Sequence, residues 1–318
     1  MELVLSGILV IACLFNFTKV GSARLLDRNC GISTIDDIGG LIHHGHSTTN
    51  KENPWMVRVF TRNGPTNDSF TFVCGGTLIT TRLVLTAAHC VFFNETQLRL
   101  GDFLITDPEP DCSSGKCIDK APIRTADMKF VHRDYTGKNG KQFDIGVFRM
   151  DKEVLYSDYV RPICLLVDEE MNTITKFNVT GWGMTEEKKL SHTLQAATVY
   201  PTERTFCNRK FTTQIDQSQI CVGSNLSATC VGDSGGPLSY AMHYENQTRT
   251  FQYGLVSFGS IYCTANSSYG VITDVTHYMK WIENVIQVSQ IQYAGNDGFW
   301  HKIAIIRFPF GEQHHEQH

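Results

Sequence analysis

Short runs of β-branched and aromatic residues recur through the middle of the chain, each closed by Gly, Asn or Asp. They fall at Val57–Phe60, Phe70–Val73, Leu83–Thr86, Leu98–Leu100, Ile145–Met150, Tyr253–Phe258 and Gly270–Thr273. Runs of this length between turn-forming residues predict strands, and their number predicts an all-β sandwich or barrel. One stretch has helical spacing instead. Val275, Tyr278, Met279, Ile282, Val285 and Ile286 recur three and four residues apart and predict a late amphipathic helix. No long low-complexity linker and no solenoid-length repeat interrupts this pattern, so it reads as one architectural unit.

The two ends differ from the middle. Leu3–Phe17 is an apolar run followed by Gly21, Ser22 and Ala23, which predicts a signal peptide over residues 1–23. Glu2 stands where a basic residue is usual, but the run is short for a membrane span, which needs about 18 or more apolar residues. A soluble, secreted chain with no membrane partner is the expectation. Residues 24–41 then form a short propeptide holding Cys30, residues 42–289 the main body, and residues 290–318 a tail with an apolar centre, Ile303–Phe310. The tail ends in His314, His315, Glu316 and His318. Nothing in its sequence imposes a ligand geometry, so no metal is expected there.

Composition sharpens this picture. The chain has 318 residues, 42% hydrophobic and 19% charged, which excludes a disordered or fibrous protein. A net charge of -4 leaves no global positive field to hold nucleic acid. Eleven cysteines suit an oxidising compartment, and losing Cys13 with the leader leaves an even set. Export gives meaning to Asn-x-Ser/Thr acceptors at Asn67, Asn94, Asn178, Asn225, Asn246 and Asn266. Asn178 lies in a strand-like run and is the weakest of these.

The chemistry concentrates in three segments. In Gly232-Asp233-Ser234-Gly235-Gly236-Pro237, flanking glycines allow a tight turn that exposes the serine hydroxyl while nearby N–H groups converge. A serine hydroxyl needs a base, and His89 ends the strand-like run Leu83–Thr86 beside Cys90. A carboxylate able to orient that histidine enters an apolar strand at Asp144. The serine segment also fits the Gly-x-Ser-x-Gly elbow of α/β-hydrolases, but that fold wants acid and histidine after the serine in an alternating βα chain. Asp274 and His277, only three apart, do not supply them, and an esterase is set aside.

These segments resemble the chymotrypsin-like (trypsin-fold) serine endopeptidases, and closely the secreted arthropod members. The resemblance rests on Thr86-Ala87-Ala88-His89-Cys90, Asp144-Ile145, Gly232–Pro237, Pro54-Trp55, Cys74-Gly75-Gly76 and Gly181-Trp182-Gly183, all in family order. It implies two packed six-stranded antiparallel Greek-key barrels with a C-terminal helix. It also implies that Ser234 is the nucleophile, His89 the general base and Asp144 its orienting acid, with the N–H groups of Gly232 and Ser234 as oxyanion hole. Ser257 matches the serine that supports the buried aspartate.

The same resemblance proposes disulfides Cys74 with Cys90, Cys207 with Cys221, Cys230 with Cys263, Cys30 with Cys164, and Cys112 with Cys117. One common family bridge is absent, with Phe177 and Tyr240 at its two ends, and two rings in contact are expected to replace it. Counting back from Pro54-Trp55 places the activation cut between Leu41 and Ile42, after which the new α-amino group pairs with Asp233. The usual residue before the cut is Arg or Lys, so Leu41 requires an activating protease with an apolar preference, or leaves the chain uncut. At the pocket base, Ala228 stands where trypsin-like enzymes carry aspartate, so a Lys or Arg side chain would be desolvated without a partner. Gly259 and Gly270 keep the pocket open for a large apolar or aromatic side chain, with Thr229 and Ile272 reshaping it.

Partners implied are protein or peptide substrates, an activating protease and protein inhibitors, with the enzyme a monomer. No cofactor is required. Asp102, Asp107, Glu109 and Asp111 lie in the loop where some relatives bind calcium; a solvated acidic loop is the plainer reading, because the Cys112–Cys117 insertion alters the geometry. The rival from another class is a silent relative that uses the fold for binding: the triad favours catalysis, Leu41 favours silence.

Overall fold

Along Thr96–Leu100 buried and half-buried residues alternate one by one, the pattern of a strand with one face inward. Leu83–Thr86, by contrast, is buried at every position. Its Val84 points into one core while Leu83 and Leu85 join another, so a continuous apolar run is needed to face two cores at once. The computed structural model describes residues 24–34, 46–49, 51–64, 68–102, 111–113, 116–118, 122–137, 141–167, 174–184, 189–224, 233–259, 268–290 and 305–308.

Six strands close the first barrel: β1 (Met56–Arg62), β2 (Phe70–Leu78), β3 (Leu83–Thr86), β4 (Thr96–Leu100), β5 (Ile123–His132) and β6 (Gly146–Met150). Their order is β1-β2-β3-β6-β5-β4, with β4 returning to β1. The second barrel uses β7 (Phe177–Gly181), β8 (Gln195–Thr202), β9 (Gln219–Ser224), β10 (Pro237–Tyr244), β11 (Gln247–Gly259) and β12 (Ser268–Asp274). Its order, β7-β8-β9-β12-β11-β10 and back to β7, repeats that of the first. The fold is therefore the double six-stranded antiparallel barrel implied by the resemblance. Val57, Val59, Leu98 and Phe148 fill the first interior; Val179, Leu238, Phe251 and Val256 fill the second. A third core joins the barrels through Trp55, Leu85, Val147, Trp182 and Leu255 and extends to the helix α2 (Met279–Ser289) through Trp281, Ile282 and Val285. No helix among the described residues is long and apolar enough to cross a membrane.

A second helix, α1 (Arg204–Phe211), was not anticipated from the pattern. Only Cys207 in it is buried, so it carries no apolar stripe to read; its bridge to Cys221 holds it to β9. Bridges also join Cys74 to Cys90 and Cys30 to Cys164. Cys112 and Cys117 are opposite one another in a two-stranded hairpin, while Cys230 and Cys263 lie outside the described residues. Phe177 and Tyr240 meet through a third ring: Tyr253 lies 5.3 Å from Phe177 and 6.5 Å from Tyr240. The substitute for the absent bridge is thus a three-ring cluster.

Two outlying segments attach to the barrels. Arg24–Leu25 pairs with Leu166–Val167, and Gly31 exchanges backbone hydrogen bonds with Pro162 and Thr250. From the tail, Ile305–Phe308 runs parallel to Lys129–His132 at the end of β5. Its pairing continues the edge that β4 occupies earlier along β5, at Ile123–Thr125. Asn94 and Asn246 are exposed, Asn178 is half-buried within β7, and Asn67, Asn225 and Asn266 lie outside the described residues.

Candidate active site

The end of β3 and the start of β6 bring the histidine and the carboxylate together, because Thr86 pairs with Gly146 across the two strands. After Thr86 a single 3-10 turn, Ala88–Cys90, carries His89, and the Cys74–Cys90 bridge ties that turn to β2. Asp144 is fully buried. Its Oδ1 accepts the backbone N–H of His89 at 2.9 Å, and its Oδ2 lies 2.8 Å from His89 Nδ1. Ser257 Oγ donates to the same Oδ2 from the second barrel. A carboxylate oxygen accepts, so the contact between Oδ2 and Nδ1 is made with the imidazole proton on Nδ1, which leaves Nε2 as the acceptor. Nε2 is thus free to serve as a base, on a side chain 21% exposed.

Ser234 sits in the turn that leads into β10. Its carbonyl accepts Gly75 N–H at 2.8 Å, and Gly235 N–H donates to Val256 at 2.8 Å. Gly235 has φ +76°, and a Cβ there would collide with Thr86 Oγ1 and the carbonyl of Gly75. Only glycine lets the serine turn lie against the residues immediately before His89. The site is therefore a junction between barrels, with His89 and Asp144 from the first and Ser234 and Ser257 from the second.

Asp233 meets the Gly181-Trp182-Gly183 segment. Gly183 N–H donates to Asp233 Oδ1 at 2.8 Å, and a Cβ on either Gly181 or Gly183 would strike that carboxylate. Gly259 and Gly270 are direct partners across β11 and β12. Leu41, Ile42, Ala228, Thr229 and Gly232, to which the sequence assigns the activation cut, the pocket base and one oxyanion donor, lie outside the described residues.

Several residues around the site had no signal in the sequence. Thr273 Oγ1 donates to the carbonyl of Asp144 at 3.0 Å. Phe143, directly before Asp144, has φ +59°, a strained conformation for an aromatic residue that persists only where packing dictates it. The packing comes from His132, whose ring stacks on Phe143 at 4.8 Å. Burial lowers the His132 pKa to about 4, so the imidazole is neutral. Tyr135, close to Asp144, has its phenol pKa raised, first by burial and then by that carboxylate.

Two metal readings lose members. Asp102 is buried with its carboxylate bound to the Arg58 guanidinium, which removes it from the acidic loop set; Asp107 and Glu109 lie outside the described residues. Cys74, His89 and Cys90 cluster, but the two sulfurs are bonded to each other and offer no thiolate.

A double antiparallel barrel with a histidine–carboxylate pair and a glycine-flanked serine at its junction defines a class, the serine proteases of this fold. The trypsin family model matches residues 42–282, and the chain belongs to the trypsin family. Melanization protease 1 of Drosophila melanogaster is 33% identical over 292 residues, covering 85% of this chain and 71% of that protein. The Spaetzle-processing enzyme of the same species is 32% identical, over 81% of this chain and 68% of its own. Phenoloxidase-activating factor 1 of Holotrichia diomphalia is 33% identical, with 83% and 74% covered. The crystal structure of the Drosophila Grass clip serine protease of the Toll pathway superposes with a TM-score of 0.67 at 27% identity, over 81% of this chain and 74% of that one.

Proposed function

We propose that the protein is a secreted, disulfide-bonded and glycosylated serine endopeptidase made as an inactive precursor. Ser234 Oγ attacks the substrate carbonyl while His89 Nε2 takes its proton, later returning it to the leaving amine. Asp144 fixes the histidine tautomer and stabilises the imidazolium. The N–H groups of Gly232 and Ser234 receive the developing oxyanion, each worth about 3–4 kcal/mol of transition-state stabilisation. The observation that carries this reading is the fully buried Asp144 carboxylate bonded twice to His89 and once to Ser257.

Cleavage after large apolar or aromatic residues is supported by Ala228 in the sequence and by the paired Gly259 and Gly270. The substrates are proteins or peptides, and the relatives' names point to proteolytic processing of other proteins. Activation is a cut between Leu41 and Ile42, with Asp233 receiving the new amine. Leu41 favours the second reading, a silent binding relative, because a trypsin-like activator does not cut there.

N-terminal sequencing of the secreted protein, combined with labelling by a serine-directed phosphonate, separates the two. A chain starting at Ile42 that labels, with labelling lost in Ser234→Ala, supports the protease; a correctly cut chain that never labels overturns it. Peptide-library cleavage then reads specificity, and faster cutting after Arg than after Phe or Leu contradicts the role given to Ala228.

A further inference from the structure

The four residues Lys129–His132 at the end of β5 carry two side chains that contact the segment after His89 and the residue before Asp144. Lys129 is buried, and its ammonium donates to the carbonyls of Phe92 at 2.7 Å and Asn94 at 2.6 Å and to Thr96 Oγ1 at 2.7 Å. All three of its N–H bonds are used, two on the turn that follows His89 and Cys90 and one on the start of β4. His132, three residues on, stacks on Phe143, the strained residue directly before Asp144. Tyr278 and Trp281 close around the same imidazole, at 5.7 and 5.8 Å.

This stretch is bonded along both edges. Lys129, Phe130 and Val131 pair with β6 on one side. On the other, β4 pairs only as far as Thr125, and the tail strand supplies the pairing instead: Ile305 with Lys129, Ile306 with Phe130, Arg307 with Val131 and Phe308 with His132. A backbone edge left without partners exchanges and frays readily, and side chains mounted on it lose their positions.

We infer that Lys129 and His132 are positioning residues for His89 and Asp144, and that the C-terminal strand Ile305–Phe308 is the clamp that holds both in register. The inference rests on the protease reading for its effect on turnover, though the clamp itself is a matter of backbone pairing. The tail strand thereby acts on the catalytic pair without touching substrate.

The test uses the full chain. In a strand alternate N–H groups face one neighbour, so the double variant Ile305→Pro/Ile306→Pro removes at least one pairing donor, whereas Ile305→Val/Ile306→Val keeps both. The proline variant is expected to speed amide exchange across residues 129–132 and 92–96 by about tenfold or more. It should also lower kcat and the phosphonate labelling rate of Ser234 about fivefold with KM unchanged, the pattern of lost transition-state alignment. The valine variant should match the wild type in both. Lys129→Met should lower kcat in the same way; if it fails to fold, the tail variants still decide. Unchanged exchange at 129–132 in the proline variant, or coil-like exchange of residues 305–308 in the wild type, overturns the clamp. A wild type that is cut at Ile42 yet never labels removes the protease reading, while the exchange measurement still reads the clamp.

Discussion

Buried His132 ties stability to pH through a shift whose sign is fixed by its surroundings. Desolvation lowers its pKa from 6.5 to about 4; Asp134 opposes that, while Arg133 and His277 add to it. Between these values the unfolded chain binds a proton that the folded chain refuses. Stability is therefore complete above pH 6.5, declines as pH falls, and is lost through pH 4. A shift of that size corresponds to a loss on the order of 3 kcal/mol for this fully buried ring. Urea unfolding at pH 7 and pH 4 is expected to show it, and His132→Phe, which keeps the stack on Phe143, should flatten the difference. An equal acid loss in wild type and variant would place the effect elsewhere. Lys129 is shifted by the same desolvation: burial lowers its pKa to about 8, against the raising effect of Glu95, and its three acceptors are what keep a desolvated ammonium in place.

Element by element, the segment around Cys30 is held to the barrels by more than its cysteine. Besides the Cys30–Cys164 bridge, Leu26 N–H donates to Leu165, Tyr156 donates to Asp27, and Arg249 donates to the carbonyls of Arg28 and Cys30. Cys30→Ser/Cys164→Ser is expected to lose about 2–4 kcal/mol of unfolding free energy, the usual worth of a native bridge. After cutting at Ile42, the segment should nonetheless co-elute with the body on size exclusion under non-reducing conditions. Immediate release would mean that the non-covalent contacts are too weak to retain it. The same elements show what the sequence makes legible. Strands such as Leu83–Thr86 and the amphipathic face of α2 declare themselves because their burial is written in local periodicity. The segments carrying His89, Asp144 and Ser234 stand out by composition rather than periodicity, and the structure sets His89 against Asp144. Helix α1 was not legible, because a single buried cysteine leaves no stripe. The apolar run in the tail was visible, but not its partner, because parallel pairing with β5 is a contact between distant parts of the chain. Thr273, Phe143 and the Lys129 network were hidden in the same way: their roles exist only once strands remote in sequence are adjacent.

At the scale of the whole molecule, the site lies where the barrels meet, and the proposed activation would have to act on that junction. The Asp233 carboxylate is seated against Gly183 N–H, one residue before the serine, on the rim of the inter-barrel core that contains Trp182. A new α-amino group at Ile42 reaching this carboxylate would bury a charge pair whose partners are each costly to leave alone, about 3–5 kcal/mol for removing one of them. The cut would thus be coupled directly to the turn carrying Ser234. On the proposed cut, Leu41 would set which protease can trigger it. Leu41→Arg is expected to let trypsin convert the precursor to a chain starting at Ile42, while the wild type resists the same treatment. Phosphonate labelling at Ser234 should rise with that conversion. In Leu41→Arg/Asp233→Asn the cut should occur equally fast but labelling should remain at the precursor level, since the amine then finds no carboxylate. If the cut Asp233→Asn chain labels as fast as the cut Leu41→Arg chain, the ion pair is not what assembles the serine turn, and the precursor is competent without it.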